Sequence, residues 1–515
     1  MKKRLTVLAL AAAMLLGWSA NASAIDFKAK GTWQFGYGVN NRYLSLKNSK
    51  GGKNSNDNFN GRQRIRQQID FIASESLSGS LWFEIGHANY GQNSAGMALG
   101  GDGTTVKVRN AYLDWVVPNT DLRFRMGLQN TWLPSAAGGG MVLDNADVAA
   151  VTANYTFNDN VGLTAMWMRP SNDNFTGWTK NGQTNYQANY LDNIDLFFLS
   201  VPLQFEGVKL TPWAMYGLQG KNSWRNENNA DGVTSFWKDI NAFYPMGTDP
   251  FGHSNSAFAR EHTGKTYGGM FWAGLPIKIT ALDPWNIEVD MNYGWVEAMG
   301  RYGISKRGVA NAERASTERQ GFILKALVEY KLDWGTPGVF GWYGSGDDGN
   351  LKNGSERMPT MSPFGTFTGM LGDATFYDGT AGTWDMALTY GGSWGIGFHL
   401  KDMSFLEDLT HTFRVAYRGG TNSPSMVKYA TTPLDWTNPQ SNIDGPYLTT
   451  NDGLLEFNLQ NKYKIYENLT AGLELGYIVN MMDRGTWNRS WTRASGVPFS
   501  KQDAWKANVA LVYSF

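Results

Sequence analysis

Two-residue alternation of apolar and polar side chains recurs along nearly the whole chain, and it limits the fold more than any other feature. Phe27, Ala29, Gly31, Trp33, Phe35, Tyr37 and Val39 share one face, and Lys28, Lys30, Thr32 and Gln34 the other. The pattern returns with Ile287, Val289, Met291 and Tyr293 against Glu288 and Asp290. It returns again with Phe322, Leu324, Ala326 and Val328 against Lys325, Glu329 and Lys331, and once more over 469–479. A period of two is that of a β-strand with unlike faces. A soluble sandwich shares it, so the connectors must discriminate.

Connectors alternate between short and long. Short ones fall near 74–79, 117–121, 158–160, 205–207, 277–284, 333–335, 401–408 and 466–468. Long ones fall near 40–61, 90–104, 132–147, 170–192, 218–266, 298–317, 346–382, 422–452 and 481–502. Eight short turns and nine long loops join 18 strands, with 16 as the alternative because 382–401 is hard to divide. Apolar faces with aromatics towards their ends suit strands of about 9–11 residues crossing a bilayer at a tilt. The expected fold is all-β: a transmembrane antiparallel up-and-down β-barrel with short periplasmic turns, long extracellular loops and periplasmic termini. Backbone groups in lipid must all be paired, so the last strand, "ANVALVYSF" (507–515), is expected to close on the first.

The N-terminus fits export. Lys2, Lys3 and Arg4 precede an apolar run from Leu5 to Trp18, and Ala22-Ser23-Ala24 has the small-x-small form of a cleavage site. The run is too short for a spanning helix, so 1–24 reads as a cleaved signal and 25–515 as a single barrel domain. Removing three basic residues from 45 leaves 42 against 45 acidic, a net −3, which is no nucleic-acid signature. No cysteine is present, which excludes disulfides and thiolate chemistry.

About 16–18 strands enclose an aqueous channel, so its chemistry is read from the polar face. In "GRQRIRQQIDF" (61–71), Ile65, Ile69 and Phe71 face lipid, which turns Arg62, Arg64, Arg66 and Asp70 inward. The same parity turns Arg123 and Arg125 inward in 121–130, and Arg414 and Arg418 in 410–420. Lys28, Lys30, Lys209, Lys325, Lys331, Lys462, Lys464 and Lys506 join those arginines. They face Asp70, Glu84, Glu288, Asp290, Glu329, Glu456 and Glu474. Any charge in a spanning strand must face water, so the excess of cations matters more than their presence. It predicts an anion-preferring lumen.

A constriction requires a loop folded into the bore. The stretch 134–150, with Gly138-Gly139-Gly140 for bending, is one candidate, whose Asp144 and Asp147 would face the arginine wall, and the longer 218–266 connector is another. An outward loop with solvated carboxylates is the equal alternative. "GSGDDGN" (344–350) offers Asp347, Asp348 and Asn350 as weak calcium ligands, but it lacks the spacing of an EF-hand and reads first as a turn. No other cofactor is implied. Loop tryptophans such as Trp224, Trp237, Trp436 and Trp487 could stack on sugars, though such residues more often pack a loop.

The chain resembles Gram-negative general diffusion porins over its full mature length. More narrowly it resembles the homotrimeric outer-membrane porins of sulfate-reducing bacteria, through "RQRIRQQIDF" (62–71), "TPGVFGWYGSGDDGN" (336–350), "NGSERMP" (353–359), "EDLTHTFRVAYRGGTN" (407–422) and the terminal "LVYSF". That resemblance implies an outer-membrane location among lipid and lipopolysaccharide. It also implies a trimer of barrels, insertion by the barrel-assembly machinery through the strand ending at Phe515, and passive passage of small hydrophilic solutes and ions. Outward Ala29 and Gly31 would allow close approach of a second barrel. A substrate-specific channel for sugars or organic acids would want inward aromatics on consecutive strands, whereas the aromatics read mostly outward. A barrel enzyme would need Ser-His or Asp-His groups converging at one rim, and the five histidines form no motif. The chain therefore reads as no enzyme, and a structural or adhesive barrel is the remaining alternative of another class.

Overall fold

A computed structural model describes residues 25–41, 58–93, 96–100, 106–172, 178–180, 183–185, 191, 193–220, 261–262, 265–305, 312–372, 389–429, 445–496 and 498–515. The expected leader, most of the 218–266 connector and the tryptophans at 224, 237 and 436 lie outside the described residues. The strands are β1 (Asp26–Asn40), β2 (Asn58–Ser74), β3 (Leu77–Asn89), β4 (Val106–Val116), β5 (Leu122–Thr131), β6 (Ala146–Asn158) and β7 (Val161–Asn172). Then come β8 (Asn193–Ser200 with Leu203–Phe205), β9 (Val208–Leu210 with Trp213–Gly220), β10 (Tyr267–Ile279), β11 (Trp285–Val296), β12 (Arg319–Tyr330) and β13 (Thr336–Gly344). The set ends with β14 (Ser393–Leu406), β15 (Leu409–Gly420), β16 (Gly453–Tyr466), β17 (Leu469–Asn480) and β18 (Ala504–Ser514).

Each strand pairs antiparallel with its neighbours, and β18 closes on β1 from Thr32↔Ser514 to Asn40↔Lys506. The sheet holds 20 ladder segments. Two strands are each interrupted once, at Val201-Pro202 and Thr211-Pro212, so the barrel has 18. Proline removes a ladder donor there, and Val201 N–H instead bonds Pro212 O at 3.1 Å.

The eight short connectors are 75–76, 117–121, 159–160, 206–207, 280–284, 331–335, 407–408 and 467–468, as the sequence predicts to within a few residues. Every one carries an exposed carboxylate: Glu75, Asp121, Asp159 and Glu206 in the first four. Asp283, Asp333, the Glu407–Asp408 pair and Glu467 follow in the others. Of the undivided stretch 382–401, only residues 389–401 are described. β14 begins at Ser393, because Tyr390 is buried against Trp342, with ring centroids 4.6 Å apart, before the chain enters the wall.

The outer face is an apolar belt. Phe27, Trp167, Phe197, Phe322, Ile396 and Val509 are all well exposed on the isolated chain. Aromatic pairs ring its periplasmic edge, among them Phe27–Phe71, Trp115–Phe124, Trp285–Tyr330, Trp334–Phe405 and Tyr513–Phe515. Aromatics gather at bilayer interfaces because an apolar ring with a polar edge suits both media. Phe515 seals the seam: Gly31 N–H bonds its carbonyl at 2.7 Å, and its N–H returns to Gly31 O at 3.0 Å. Its ring covers Gly31, where a Cβ would stand 2.8 Å from Cζ. Gly31 thus seats the terminal side chain and is not an open face for a second barrel.

The 481–503 connector holds a helix, α1 (Arg484–Ser495), which alternation alone does not reveal. Asp483 caps it, accepting from Thr486 N–H at 2.6 Å, and Gly496 ends it at φ 74°. Trp487 is fully buried beneath it with Tyr429, Tyr447 and Phe499, so this tryptophan packs a loop.

Candidate functional site

The inside of the barrel is divided. Much of the inward face of β7 to β13 is apolar: Met166 and Met168, then Leu196 and Phe198, then Trp213, Met215, Met270, Trp272, Phe340 and Trp342. Two connectors fold in and cover them. Residues 132–145 contribute Leu133, Ala137, Met141, Val142 and Leu143, and residues 345–372 contribute Met358, Met361 and Phe367. Every one of these side chains is buried. A fully buried side chain of this size contributes roughly 1.5–3 kcal/mol, so the inserted loops are a folded core.

Aromatics of the wall lie mostly outward, with a minority inside the barrel. Phe198, Trp213, Trp272, Phe340 and Trp342 do point inward, but they lie under the loops and form no solvent-facing stacking track.

The first loop turns at Gly138 and Gly139, at φ 84° and 90°. At Gly139 a Cβ would come within 1.9 Å of Phe364 O, so no larger residue fits. The two loops run side by side. Met361 N–H bonds Val142 O at 2.8 Å, Phe364 N–H bonds Gly140 O at 2.8 Å, and Thr366 N–H bonds Gly138 O at 2.9 Å. The wall holds the first loop by charge. Glu288 accepts from Ala137 N–H at 2.8 Å, Asp290 from Ala136 N–H at 3.2 Å, and Lys325 donates to Ala136 O at 2.9 Å and to Gly139 O. The second is held by Glu456, which accepts from Gly369, Met370 and Leu371 N–H at 2.7, 2.7 and 2.8 Å.

Several of the expected channel residues therefore belong to this core. Lys325 is fully buried and paired with Asp290 at 2.9 Å, instead of facing water. Arg418 is also buried, donating to Leu371 O at 3.3 Å and Thr389 O at 2.9 Å. Neither position lines a bore, because the inserted loops take up their donors.

The opposite wall keeps the polar set. Arg62 donates to Asn89 Oδ1 at 2.7 Å, and Arg64, itself buried, to Gln34 Oε1 at 2.6 and 3.1 Å. Arg66 pairs with Glu84 at 2.9 Å. Asp70 accepts from Gln68 at 2.6 Å and Ser80 at 2.5 Å, with Lys30 at 3.9 Å. Arg125 forks onto Asp114 at 2.7 and 2.9 Å and lies 4.1 Å above the Tyr112 ring. Arg414 donates to Asn458 Oδ1 at 3.2 Å, and Arg123 is exposed. Asp114 and Tyr112 were missed at the sequence level. Outward Ala111, Leu113 and Trp115 were the available signal, since they turn 112 and 114 inward.

Neither loop aspartate meets the arginine wall. Asp144 braces its own loop, accepting from Gly140 N–H at 2.8 Å, and burial raises its pKa. Asp147 begins β6 and pairs with Arg109 at 2.7 Å, with Asn110 and Asn130 donating at 2.9 and 3.0 Å. The loop does enter the barrel, but its two aspartates do not face the arginine wall. The carboxylates that answer the arginines, Glu84 and Asp114, stand on the same wall.

In 344–350 the oxygens are taken by protein donors. Tyr447 OH donates to Asp347 at 2.7 Å, as does Ser355, while Asp348 accepts from Asn350 N–H at 2.7 Å and Asn353 at 3.1 Å. Glu356 bonds the Asp348 N–H at 3.0 Å. Burial, with Asp347 and Asp348 alongside, pushes its pKa up to about 7. This is a hydrogen-bonded turn, and no group of three carboxylate or histidine ligands with metal geometry occurs among the described residues.

No family model and no curated relative matches the chain, so the resemblance to the porins of sulfate-reducing bacteria has no counterpart there. Solved outer-membrane proteins do align with it. OccAB3 of Acinetobacter baumannii is 12% identical, with a TM-score of 0.47 over 95% of this chain and 100% of that one. A BenF-like porin from Pseudomonas fluorescens Pf-5 is 10% identical, with a TM-score of 0.47 over 95% and 98%. The outer membrane channel DcaP of Acinetobacter baumannii is 10% identical, with a TM-score of 0.40 over 96% and 99%. At this distance the likeness carries no argument for substrate or mechanism.

Proposed function

We propose that the protein is an outer-membrane porin, a water-filled channel for passive diffusion of small hydrophilic solutes and ions, with a preference for anions. One observation carries this reading. A closed belt of 18 strands with an apolar exterior retains exposed inward cations, Lys28, Lys30 and Arg123, beside Arg66, Arg125 and Arg414. Fixed cations in a low-dielectric tube concentrate anions and lower the population of cations. Width and charge then select the solute, with no bond made or broken. Assembly as a homotrimer among lipopolysaccharide, and insertion by the barrel-assembly machinery through the Phe515 strand, belong to the same reading.

The test is the reversal potential of the purified protein in a planar bilayer under a potassium chloride gradient. Anion selectivity is expected, and Lys30→Gln with Arg123→Gln should move the potential towards the cation side. Cation selectivity of the native channel would overturn the anion preference. Absence of conductance from correctly folded protein would overturn the porin reading itself.

A further inference from the structure

We propose that the channel is an electrostatic junction that passes ionic current more readily in one direction. This rests on the porin reading above. Two charge tiers of opposite sign stand at the periplasmic end. The lower tier is the ring of nine exposed turn carboxylates, present on all eight turns, whose only basic residue is Lys331. The upper tier is inward and predominantly basic, with Asp70 opposite Lys28 and 3.9 Å from Lys30. Lys28, Lys30, Arg123, Lys209 and Lys464 are all exposed and sit on the inward parity of β1, β5, β9 and β16.

Spacing along the chain sets the distance between tiers. Arg123 follows Asp121 by two residues, Lys209 follows Glu206 by three, and Lys464 precedes Glu467 by three. At about 3.3 Å per residue the tiers lie roughly 7–10 Å apart. The Debye length is about 10 Å at 0.1 M salt and about 3 Å at 1 M. At 0.1 M the fields of the two tiers reach across the bore and partly overlap, leaving cations in excess at the mouth and anions just inside, and at 1 M both fields are screened.

The direction follows. With the periplasmic side positive, cations enter the acidic mouth while anions enter the basic lumen from outside, so both carriers move towards the junction and accumulate. Reversal draws both away and depletes it. Conductance is higher with the periplasmic side positive, and the asymmetry fades as salt screens the tiers.

The experiment is the current–voltage curve of the full chain in a planar bilayer at 0.1 and 1 M potassium chloride. Because the chain has no cysteine, Ser76→Cys, modified by a membrane-impermeant reagent from one side, reports which chamber faces the turns. About a twofold or larger current ratio between polarities is expected at 0.1 M, falling towards unity at 1 M. Exchanging the nine turn carboxylates for Asn or Gln should abolish the ratio while conduction remains. Should that variant fail to fold, Lys28→Gln, Lys30→Gln, Arg123→Gln, Lys209→Gln and Lys464→Gln together remove the other tier and should flatten the curve equally. A symmetric curve from conducting native channels, the opposite polarity, or asymmetry that survives either neutralisation would overturn the junction alone. No conductance at all would overturn the porin reading and the junction with it.

Discussion

Lys325 reaches backbone carbonyls of the first inserted loop while paired with Asp290, and both side chains are fully buried. Removing one member of such a pair leaves an uncompensated charge, a loss of about 3–5 kcal/mol. Lys325→Met should therefore lower the thermal midpoint and raise open-channel noise in single-channel records. Adding Asp290→Leu should recover much of the stability but not the loop's anchorage. Glu356 gives a pH prediction. Its pKa of about 7 in the fold lies above the ordinary 4.5, so the folded turn favours the protonated form. That advantage is complete below about pH 4.5 and is lost as the pH rises to about 7, as linkage requires. Amide exchange at Asp348 and Asn350, corrected for intrinsic rate, should be slower at pH 5.5 than at pH 8. Glu356→Gln should flatten the difference.

At the scale of elements, Gly139→Ala should part the two inserted loops, because its Cβ would strike Phe364 O and a left-handed φ is strained for alanine. A larger single-channel conductance is the expected readout. Legibility in the sequence was uneven among the elements. β1, β11, β12 and β17 have unlike faces, so their alternation gave both their span and their phase. β8, "NIDLFFLS", carries Leu196 and Phe198 inward and Phe197 and Leu199 outward, and an apolar run on both faces hides its phase. That is why the apolar inner wall was not foreseen, and with it the burial of Lys325 and Arg418. Parity states which way a side chain points but not what lies above it. The start of β14 was obscured by the Gly391-Gly392 pair and by Tyr390, whose burial depends on Trp342 on another strand.

For the whole molecule, the barrel combines two environments. Strands β1–β5 present mostly hydrogen-bonded polar groups inward, whereas β7–β13 carry a loop-covered core that the second loop extends to Arg418 and Glu456 on β15 and β16. Charge exchanges at the exposed Lys30 and Arg123 should shift selectivity while leaving stability within about 0.5 kcal/mol, as surface substitutions do. Truncations such as Met270→Ala or Trp272→Ala should cost about 2–5 kcal/mol, read from the heat or denaturant midpoint in detergent. The inserted core also has a mechanical meaning. An empty tube of strands yields to lateral pressure by flattening into an oval, but a packed buttress against one arc resists compression there. Deformation of this barrel under membrane tension should therefore fall mainly on the unbuttressed arc of β1–β5. That arc will set how far the bore narrows when the surrounding bilayer is squeezed.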